Sequence, residues 1–245
     1  MPAALVPCTA CWLRPRPYFR QFSKSELEFI LLMKNAHITL EPRSLVIEAG
    51  QVGGSLFTVY EGWGIRYRKL TNASRQILDV LLPGDLIGME SHVLGVTEHS
   101  VQAVTTISLC VLRGRRLEEL FQQHPEWGLS LLRSLVEDQR RDDSWRTILG
   151  RLDARQRIAY LFLEIFDRLK LREMTSDNSC PFPLARQHLG DALGLSRVHV
   201  SRVLSDFTKR DLAQIDQNIL FIRDRAKLIE IAGYHAIAPG PQVLL

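Results

Sequence analysis

The sequence lacks any apolar run of the about 20 residues that a membrane-spanning helix requires. Its first stretch, residues 1–13, also lacks the basic start and the extended apolar core of a secretory signal. These absences predict a cytoplasmic chain that has no membrane partner. Catalytic signatures are missing too, since there is no P-loop, no H-E-x-x-H and no G-x-S-x-G. We therefore predict that the chain is not an enzyme.

Cysteine is scarce, with 4 residues in a chain of 245. In a reducing compartment such cysteines are free thiols or ligands rather than a disulfide framework. Charge of one sign is not in large excess either, because 31 Lys and Arg residues face 27 Asp and Glu residues and leave a formal net charge of +4. This balance suits an anionic partner without identifying one.

What the sequence does contain is a pair of short amphipathic helices joined by a tight turn after residue 184. The first helix has apolar residues at positions i, i+4, i+7 and i+8, which are Ala185, Leu189, Ala192 and Leu193. Gly194 follows and suits a left-handed helix end, and Ser196 stands where a cap would start the second helix. This order of stripe, turn and cap predicts a helix-turn-helix.

The second helix is apolar on one face and basic on the other. Its inward positions are Val200, Val203, Leu204 and Phe207, and its outward positions are Val198, Arg202, Ser205 and Lys209, flanked by His199 and Ser201. Such a helix can dock on its own domain while entering the major groove of DNA. Residues 212–222 read as two strands around a polar turn, which predicts a wing beside the helices. The alternative is an ordinary helical hairpin in a core.

Upstream of the helices, residues 45–112 show short β-type runs separated by glycine-rich turns. The clearest runs are 45–47, 55–60, 65–68, 76–81 and 101–104. Many short strands with regular turns predict a compact antiparallel roll. Before them, Ser23 and Glu26 have the spacing of a capping box, so we expect a short helix running through Leu32.

A long helical segment connects the two regions, from about Leu117 to Lys170, with breaks expected near residues 124–125 and 150–153. Its apolar positions near heptad spacing are Leu131, Leu132, Leu135, Val136, Ile148, Leu149 and Leu152. They predict a dimer seam, whereas the charged middle at residues 137–143 equally suits a solvated linker helix.

The expected architecture is α+β in five parts. They are an irregular N-terminal tail (1–20), a β-roll sensor domain (21–125), a dimerisation helix (126–152), a winged helix-turn-helix DNA-binding domain (153–233) and a loose tail (234–245).

This order of parts resembles the CRP/FNR superfamily of bacterial transcription regulators over roughly residues 20–232, nearer its FNR-like branch than its cyclic-AMP-binding branch. The most specific pieces are residues 82–88 in the roll and 186–204 in the DNA reader. The resemblance implies a cyclic-nucleotide-binding-like jelly roll, a homodimer on a palindromic site in double-stranded DNA, and RNA polymerase as a further partner.

The resemblance also assigns roles to individual residues of the DNA reader. Arg186 and Gln187 match positions that grip phosphates, and Arg197, Ser201 and Arg202 match positions that contact bases or backbone. The full set of expected DNA-binding residues is Arg186, Gln187, Ser196, Arg197, Val198, His199, Ser201, Arg202, Ser205 and Lys209.

Two positions depart from the family pattern. Ala185 stands where the family commonly has a capping Thr or Ser, and Val198 stands where it commonly has Glu. A Glu accepts a hydrogen bond from cytosine N4, whereas Val can only contact a thymine methyl. We therefore predict that this chain does not share the half-site preference of the best-known members.

The expected effector pocket of the roll departs from the cyclic-AMP-binding branch as well. In that branch a Gly-Glu pair and an Arg-Ser pair hold the ribose and the cyclic phosphate. The matching residues here are Gly88, Met89, His99 and Ser100. Both charged ligands are missing and a neutral His is a poor phosphate clamp, so cyclic AMP is not expected to bind in the usual way.

The cysteines match the FNR-like branch in part. That branch holds an iron–sulfur cluster with C-x₂-C-x₅-C and a distant fourth cysteine. Cys8, Cys11 and Cys110 fall at three of these positions, but Pro17 replaces the remaining cysteine and cannot coordinate a metal. Three interpretations stay open: a cluster with an outside ligand, a thiol–disulfide switch between Cys110 and Cys8 or Cys11, or cysteines without a redox role. Cys180 is expected to be structural, with oxidation there as a weaker alternative.

Two further functions compete with a transcription regulator. A nucleotide-binding regulatory subunit would lack its nucleotide ligands. A thiol oxidoreductase using Cys8 and Cys11 would place its C-x-x-C in a Pro-rich tail rather than in a βαβ unit.

Overall fold

The structure is a computed structural model that describes residues 6–72, 74–112, 117–236 and 240–245. The chain forms two compact units. The first, the sensor unit, comprises Met1–Ala73, Leu78–Glu137 and Gly240–Leu245, and the second, the DNA-reader unit, comprises Ser74–Ile77 and Asp138–Pro239. In the part of the chain that is described, no helix combines the length and the hydropathy that crossing a bilayer would need.

The first half of the chain contains most of the strands. Its elements are a 3-10 turn at Cys8–Ala10, then α1 (Lys24–Met33), β1 (Lys34–Leu40), β2 (Leu45–Ile47), β3 (Leu56–Glu61), β4 (Gly64–Lys69), β5 (Arg75–Leu81), β6 (Leu86–Ile87), α2 (Met89–Leu94), β7 (Ser100–Ala103) and β8 (Ile107–Leu112). The second half is mainly helical. Its elements are α3 (Leu117–Gln123), α4 (Pro125–Arg151), α5 (Ala154–Leu171), β9 (Ser179–Pro181), α6 (Arg186–Leu193), α7 (Arg197–Lys209), β10 (Ala213–Asp216), β11 (Ile219–Ile222) and α8 (Arg225–Ala232).

Two four-stranded sheets build the roll, in the orders β1-β8-β3-β6 and β2-β7-β4-β5. Apolar side chains from both sheets form one cluster, in which Val59, Val101 and Leu109 are fully buried. The predicted α+β fold with an antiparallel roll is therefore confirmed. The sequence analysis missed β1, β6 and β8, because β1 follows α1 without a turn residue and β8 is a short apolar run without alternation.

The turn before β6 shows why its glycine is required. Gly84 has a φ of 95°, and a Cβ built on it would lie 2.3 Å from the ring of Phe19. Its neighbour Asp85 accepts a hydrogen bond from the amide of Leu82 at 2.8 Å. The amide of Gly84 itself donates to the carbonyl of Val59 at 2.7 Å, which ties the turn to β3. A side chain at this position would force both the turn and Phe19 to move.

Residues towards both ends of the chain are buried, which corrects the expectation that the tail from Tyr234 is loose. The region expected to be an irregular tail buries Leu13 and Phe19, although its residues 1–5 lie outside the described part. The region from Tyr234 was expected to be loose, but Tyr234 is buried, and so are Val243 and the two leucines after it. Residues 237–239 lie outside the described part. Sequence periodicity could not reveal this packing because the partners are distant in the chain.

The long helical segment is broken at the two expected places, which gives α3, α4 and α5. Near the start of α4, Trp127 is 1% exposed and stacks on Phe22 with ring centroids 4.4 Å apart. Its indole nitrogen donates to Glu26 at 2.7 Å. Glu26 also closes the predicted capping box with Ser23. Burial would raise the pKa of Glu26, but these hydrogen bonds and Arg20 lower it overall.

The DNA-reader unit has a three-stranded sheet in the order β10-β11-β9 beside its helices. The predicted wing is confirmed as β10 and β11, which meet at Gln217 and Asn218, both with positive φ, as a two-residue hairpin turn requires. Asp167 of α5 accepts two hydrogen bonds from Arg225, at 2.9 and 3.0 Å, and one from Tyr234 at 3.0 Å. These contacts fasten α8 to α5. Burial and the Asp167 carboxylate raise the pKa of Tyr234.

Candidate nucleic-acid interface and sensor sites

The turn between α6 and α7 depends on two glycines. Gly194 ends α6 in the left-handed conformation, with a φ of 66°, as the sequence predicted. Gly190 was not singled out from the sequence, yet a Cβ there would lie 2.6 Å from the backbone carbonyl oxygen of Leu195. The amide of Leu195 returns to the carbonyl of Gly190 at 3.1 Å. The close approach of these two backbone segments sets the geometry of the turn.

Helix α7 is anchored by its apolar face. Val200 and Phe207 are fully buried. The ring of Phe207 contacts that of Phe162 in α5 edge-on, with centroids 6.3 Å apart. Ser196 caps the helix as predicted and accepts a hydrogen bond from the amide of His199 at 3.2 Å. Anchored in this way, α7 presents a fixed outer face to solvent.

That outer face forms an open groove of about 620 Å³, which we call the α7 groove. Its lining residues are Arg186, Arg197, Val198, Ser201, Arg202, Ser205, Asp206 and Lys209. The structure thus brings together seven of the ten residues expected to contact DNA. The other three are Gln187, which donates to Asp191 at 2.5 Å, the cap Ser196, and the exposed His199. Their roles in DNA contact stay predictions.

The cations of the α7 groove have no internal counter-charge. Within the described ranges, Arg186, Arg197, Arg202 and Lys209 take part in no ion pair. The acidic lining residue, Asp206, was not foreseen from the sequence, and it pairs with Arg210 at 3.0 Å and with Arg155 at 3.5 Å. The groove therefore keeps a positive surface, which is suited to a polyanion.

The expected effector pocket of the roll has the opposite character. His99 is buried, and its Nδ1 lies 2.6 Å from Oε2 of Glu90. The same carboxylate oxygen accepts a hydrogen bond from the hydroxyl of Thr97 at 2.9 Å. Burial lowers the pKa of His99, and the nearby Arg66 lowers it further. A neutral imidazole can still donate its Nδ1–H to the carboxylate, so the pair needs no outside ligand.

The remaining pocket residues are also engaged by the protein. Met89 packs against the apolar cluster around Trp127. A Cβ on Gly88 would lie 2.4 Å from the carbonyl oxygen of Ser55. The hydroxyl of Ser100 accepts a hydrogen bond from the amide of Ala49 at 3.1 Å. A cyclic phosphate at His99 would meet the Glu90 carboxylate, which lies 2.6 Å from the His99 Nδ1, and this carboxylate disfavours an anion at that position.

The three cysteines of interest converge on one small cavity of about 20 Å³, which we call the cysteine cavity. Its lining residues are Val6, Cys8, Cys11, Leu13, Arg14, Ile30, Lys34, Thr58, Tyr60, Cys110, Leu112, Leu244 and Leu245. Cys8 and Cys110 are buried, whereas Cys11 is partly exposed. Burial raises the pKa of the Cys110 thiol, and the Lys34 ammonium opposes that rise. Lys34 also donates to the carbonyl of Val6 at 2.6 Å.

The cysteine cavity does not fit an iron–sulfur cluster. A cavity of about 20 Å³ holds about one water molecule, which is too small for an iron–sulfur cluster, and four leucines form part of its wall. Pro17, at the missing ligand position, is exposed. Among the described residues, the only three metal-ligating side chains with ligand atoms within 4.8 Å of one another are Glu26, His124 and Glu126. That trio is no stronger a candidate, because the carboxylate of Glu26 is already bound by Arg20, Ser23 and Trp127.

The fourth cysteine lies in a different setting. Cys180 is 2% exposed in β9, opposite Leu220 of β11. Burial raises its pKa to about 12. A protonated and enclosed thiol reacts slowly with oxidants, which agrees with the structural role expected for Cys180 and argues against the weaker alternative of regulation by its oxidation.

Comparison with known proteins gives two domain matches. The Crp-like helix-turn-helix domain matches residues 156–231, and the cyclic nucleotide-binding domain matches residues 37–124. The first includes the α7 groove, and the second includes the pocket around His99.

Relatives and solved structures agree with these matches. Transcriptional activator protein FnrL of Cereibacter sphaeroides is 29% identical over 95% of this chain and 94% of its own length. Nitrogen fixation regulation protein FixK of Bradyrhizobium diazoefficiens is 27% identical over 92% of this chain and 93% of its own. The structure of FixK2 from Bradyrhizobium japonicum has a TM-score of 0.74 at 22% identity and covers 82% of this chain and 98% of its own. This last similarity shows the fold.

Proposed function

The chain belongs to the CRP/FNR superfamily of bacterial transcription regulators, and we propose that it binds a palindromic site in double-stranded DNA as a homodimer. On that site it would regulate transcription through contact with RNA polymerase. The observation that supports this proposal best is the α7 groove. Its four unpaired cations, within the described residues, sit on a helix whose inner face is fixed by buried side chains. The names of FnrL and FixK point to the same kind of function.

Helix α4 supports the homodimer. Three residues of the expected seam, Leu132, Leu135 and Val136, are 55%, 48% and 47% exposed in the single chain, and so is Leu129, at 53%. Leu131 and Ile148, also expected in the seam, are instead buried within the chain. The four exposed residues are spaced by three and four positions, which aligns them along one side of the helix. Apolar side chains in such a row are typical of a seam that a second helix covers.

The test is selection of bound duplexes from a randomised pool, followed by the mass of the complex in solution. We expect a two-fold symmetric sequence bound by two protomers, with half-sites about one helical turn apart. Leu132→Lys should weaken both dimer formation and DNA binding. Leu94→Lys, which changes a leucine that is 71% exposed on α2, is the matched control and should change neither. An asymmetric site, or a bound monomer, would contradict the proposal.

A second function is favoured by the cysteine cavity, namely regulation by a thiol–disulfide switch. We infer that Cys11, the partly exposed thiol, reacts first with a peroxide and forms a sulfenic acid and water. The Cys110 thiol then attacks that sulfur, releases a second water and forms the disulfide. Burial raises the pKa of Cys110, and Lys34 beside it opposes that rise only in part.

Two measurements test this switch. Peptide mass mapping after peroxide treatment should find a Cys11–Cys110 disulfide, and Cys11→Ser should abolish the response of DNA binding to peroxide. Unchanged DNA affinity in the oxidised protein would exclude the switch. Iron and sulfide assays on protein purified without oxygen address the cluster alternative, and we expect neither element in stoichiometric amount.

A further inference from the structure

The last described segment of the chain, Gly240–Leu245, packs within the sensor unit, and we call it the C-terminal strap. Its backbone pairs in parallel with Phe19 through Gln242. The amide of Gln242 donates to the carbonyl of Tyr18, and the amide of Arg20 donates to the carbonyl of Gln242, both at 2.8 Å. The strap is therefore held by backbone hydrogen bonds of defined register.

The side chains of the strap enter two apolar clusters. Val243 and Leu245, 7% and 5% exposed, belong to the cluster that contains Cys8. Leu244, 2% exposed, belongs to the cluster of Leu13 and Phe19. Because neighbouring residues of the strap enter different clusters, one short segment closes both clusters at once.

Polar contacts fix the ends of the strap. The Thr58 hydroxyl on β3 donates to the carbonyl oxygen of Leu245 at 2.7 Å, in a buried position. The amide of Gly240 donates to Glu137 at 2.8 Å, and the side chain of Gln242 donates to the same carboxylate. Glu137 belongs to α4, the helix that carries the proposed dimer seam. The strap thus joins β3, the N-terminal segment and α4.

The strap also forms part of the wall of the cysteine cavity. Leu244 and Leu245 line it together with Cys8, Cys11 and Cys110. The remaining volume of about 20 Å³ admits about one water molecule. An adduct on Cys8 or Cys110 that is larger than an oxygen atom has no room unless the strap leaves.

We propose that the C-terminal strap is a removable cover for the cysteine cavity, so that strap docking and bulky modification of Cys8 or Cys110 exclude each other. The ligand class is a thiol-reactive electrophile or a mixed-disulfide partner. Because the two states exclude each other, whatever favours release of the strap accelerates modification, and modification prevents the strap from docking again.

The strap is connected to the DNA-reader unit through the chain itself. Only residues 233–239 separate α8 from the strap, and Tyr234 at the start of this connection is fastened to Asp167. Release of the strap would remove the hydrogen bonds to Glu137 in α4. The expected change in DNA affinity rests on the proposed function, whereas the cover itself does not.

The first experiment measures how fast N-ethylmaleimide labels each cysteine of the full-length chain, by peptide mass. Leu244→Glu places a charge in the buried cluster and should accelerate labelling of Cys8 and Cys110 by about tenfold to a hundredfold. Leu94→Glu, on an exposed site of the same unit, is the matched control and should leave the rates unchanged. Cys180 is the internal reference for the other unit. Unchanged labelling rates in Leu244→Glu, or equal acceleration in both variants, would contradict the proposal that the strap covers the cysteine cavity.

The second experiment tests the reverse direction by hydrogen exchange. After maleimide has reacted at Cys110, the amides of Gln242 and Arg20 should lose protection, because both are bonded across the strap. Amides inside the roll, such as Val59, report whether the unit stays folded. Retained protection at Gln242 in the labelled protein would overturn the proposal. If Leu244→Glu is labelled faster but its DNA affinity is unaltered, the strap covers the cysteine cavity but its release does not change DNA binding.

Discussion

The α7 groove and the pocket around His99 both contain charged side chains, but the two sites differ in whether those side chains form ion pairs within the protein. In the groove, Arg197 and Arg202 pair with no acidic group among the described residues. In the pocket, His99 is bonded to Glu90, and the nearby Arg66 lowers the pKa of His99. The exposed Arg68 on the same unit pairs with Glu98. A cationic surface without internal counter-charge requires an external anion, whereas internally paired charges mainly stabilise the fold. The comparison teaches that the two units of this chain use charged side chains differently, one on an open surface and one within the fold.

The largest effect should come from removing the cations of the groove. We expect Arg197→Ala combined with Arg202→Ala to weaken DNA binding by at least about a hundredfold, because each arginine contact contributes about 1–3 kcal/mol. Arg146→Ala combined with Arg151→Ala, two exposed arginines on α4, is the charge-matched control and should change affinity little. The measurement is a titration at fixed salt concentration. Equal losses in both proteins would mean that only net charge matters, and would remove the contrast between groove and surface.

A second prediction concerns the turn that positions the groove. Gly190→Ala should destabilise the DNA-reader unit by about 1–3 kcal/mol, because the new Cβ would meet the backbone carbonyl of Leu195 at 2.6 Å. Gly150→Ala is the control within α4, where no described atom lies within 4 Å of the added Cβ, and it should stabilise by about 0.5–1 kcal/mol. Denaturant unfolding measures both. A stabilised Gly190→Ala would show that the turn is less tight than described.

A third prediction concerns base preference. Val198 is 61% exposed at the rim of the groove. Val198→Glu should shift the preferred half-site towards a cytosine at one position, with a discrimination of about 1–3 kcal/mol. Selection from a randomised pool compares the two proteins, with Val93→Glu on the exposed face of α2 as control. Identical selected sites would show that residue 198 does not contact a base.

The smallest effect is expected at the internally paired pocket. The folded state lowers the pKa of His99 through burial and Arg66, so the unfolded chain binds the proton more readily. The stability contributed by neutral His99 is therefore present above the unfolded pKa of about 6.5 and is lost as the pH falls from there through the lower pKa of the folded state. His99→Gln should flatten this part of the stability profile in urea titrations. Added cyclic AMP should not raise the melting temperature of the unchanged protein or of His99→Gln. A rise would show that the pocket, like the α7 groove, binds an external anion.

The sequence could predict the DNA reader because its signals are local. The cap at Ser196, the left-handed Gly194 and the buried Val200 and Phe207 all lie within one stretch of chain, and each follows a known periodicity or turn preference. Gly190 was missed because a glycine inside a helix gives no sign of which backbone approaches it.

The sensor sites were less predictable because their partners are distant in the chain. The hydrogen bond from Thr58 to Leu245 joins residues 187 positions apart, and no periodic pattern encodes such a contact. The partial match of Cys8, Cys11 and Cys110 to a cluster motif did place three residues that meet in one cavity. The size of that cavity, and the leucines that line it, depend on packing that only the structure reveals.

Nuclease footprinting on a selected DNA site, repeated over a range of salt concentrations, tests the central claim most directly. The account predicts a two-fold symmetric footprint whose affinity falls steeply with salt, and a shallower salt dependence when Arg197 and Arg202 are replaced by alanine. A footprint without symmetry, or one that the double variant leaves unchanged, would contradict the assignment of the α7 groove as the DNA-reading surface.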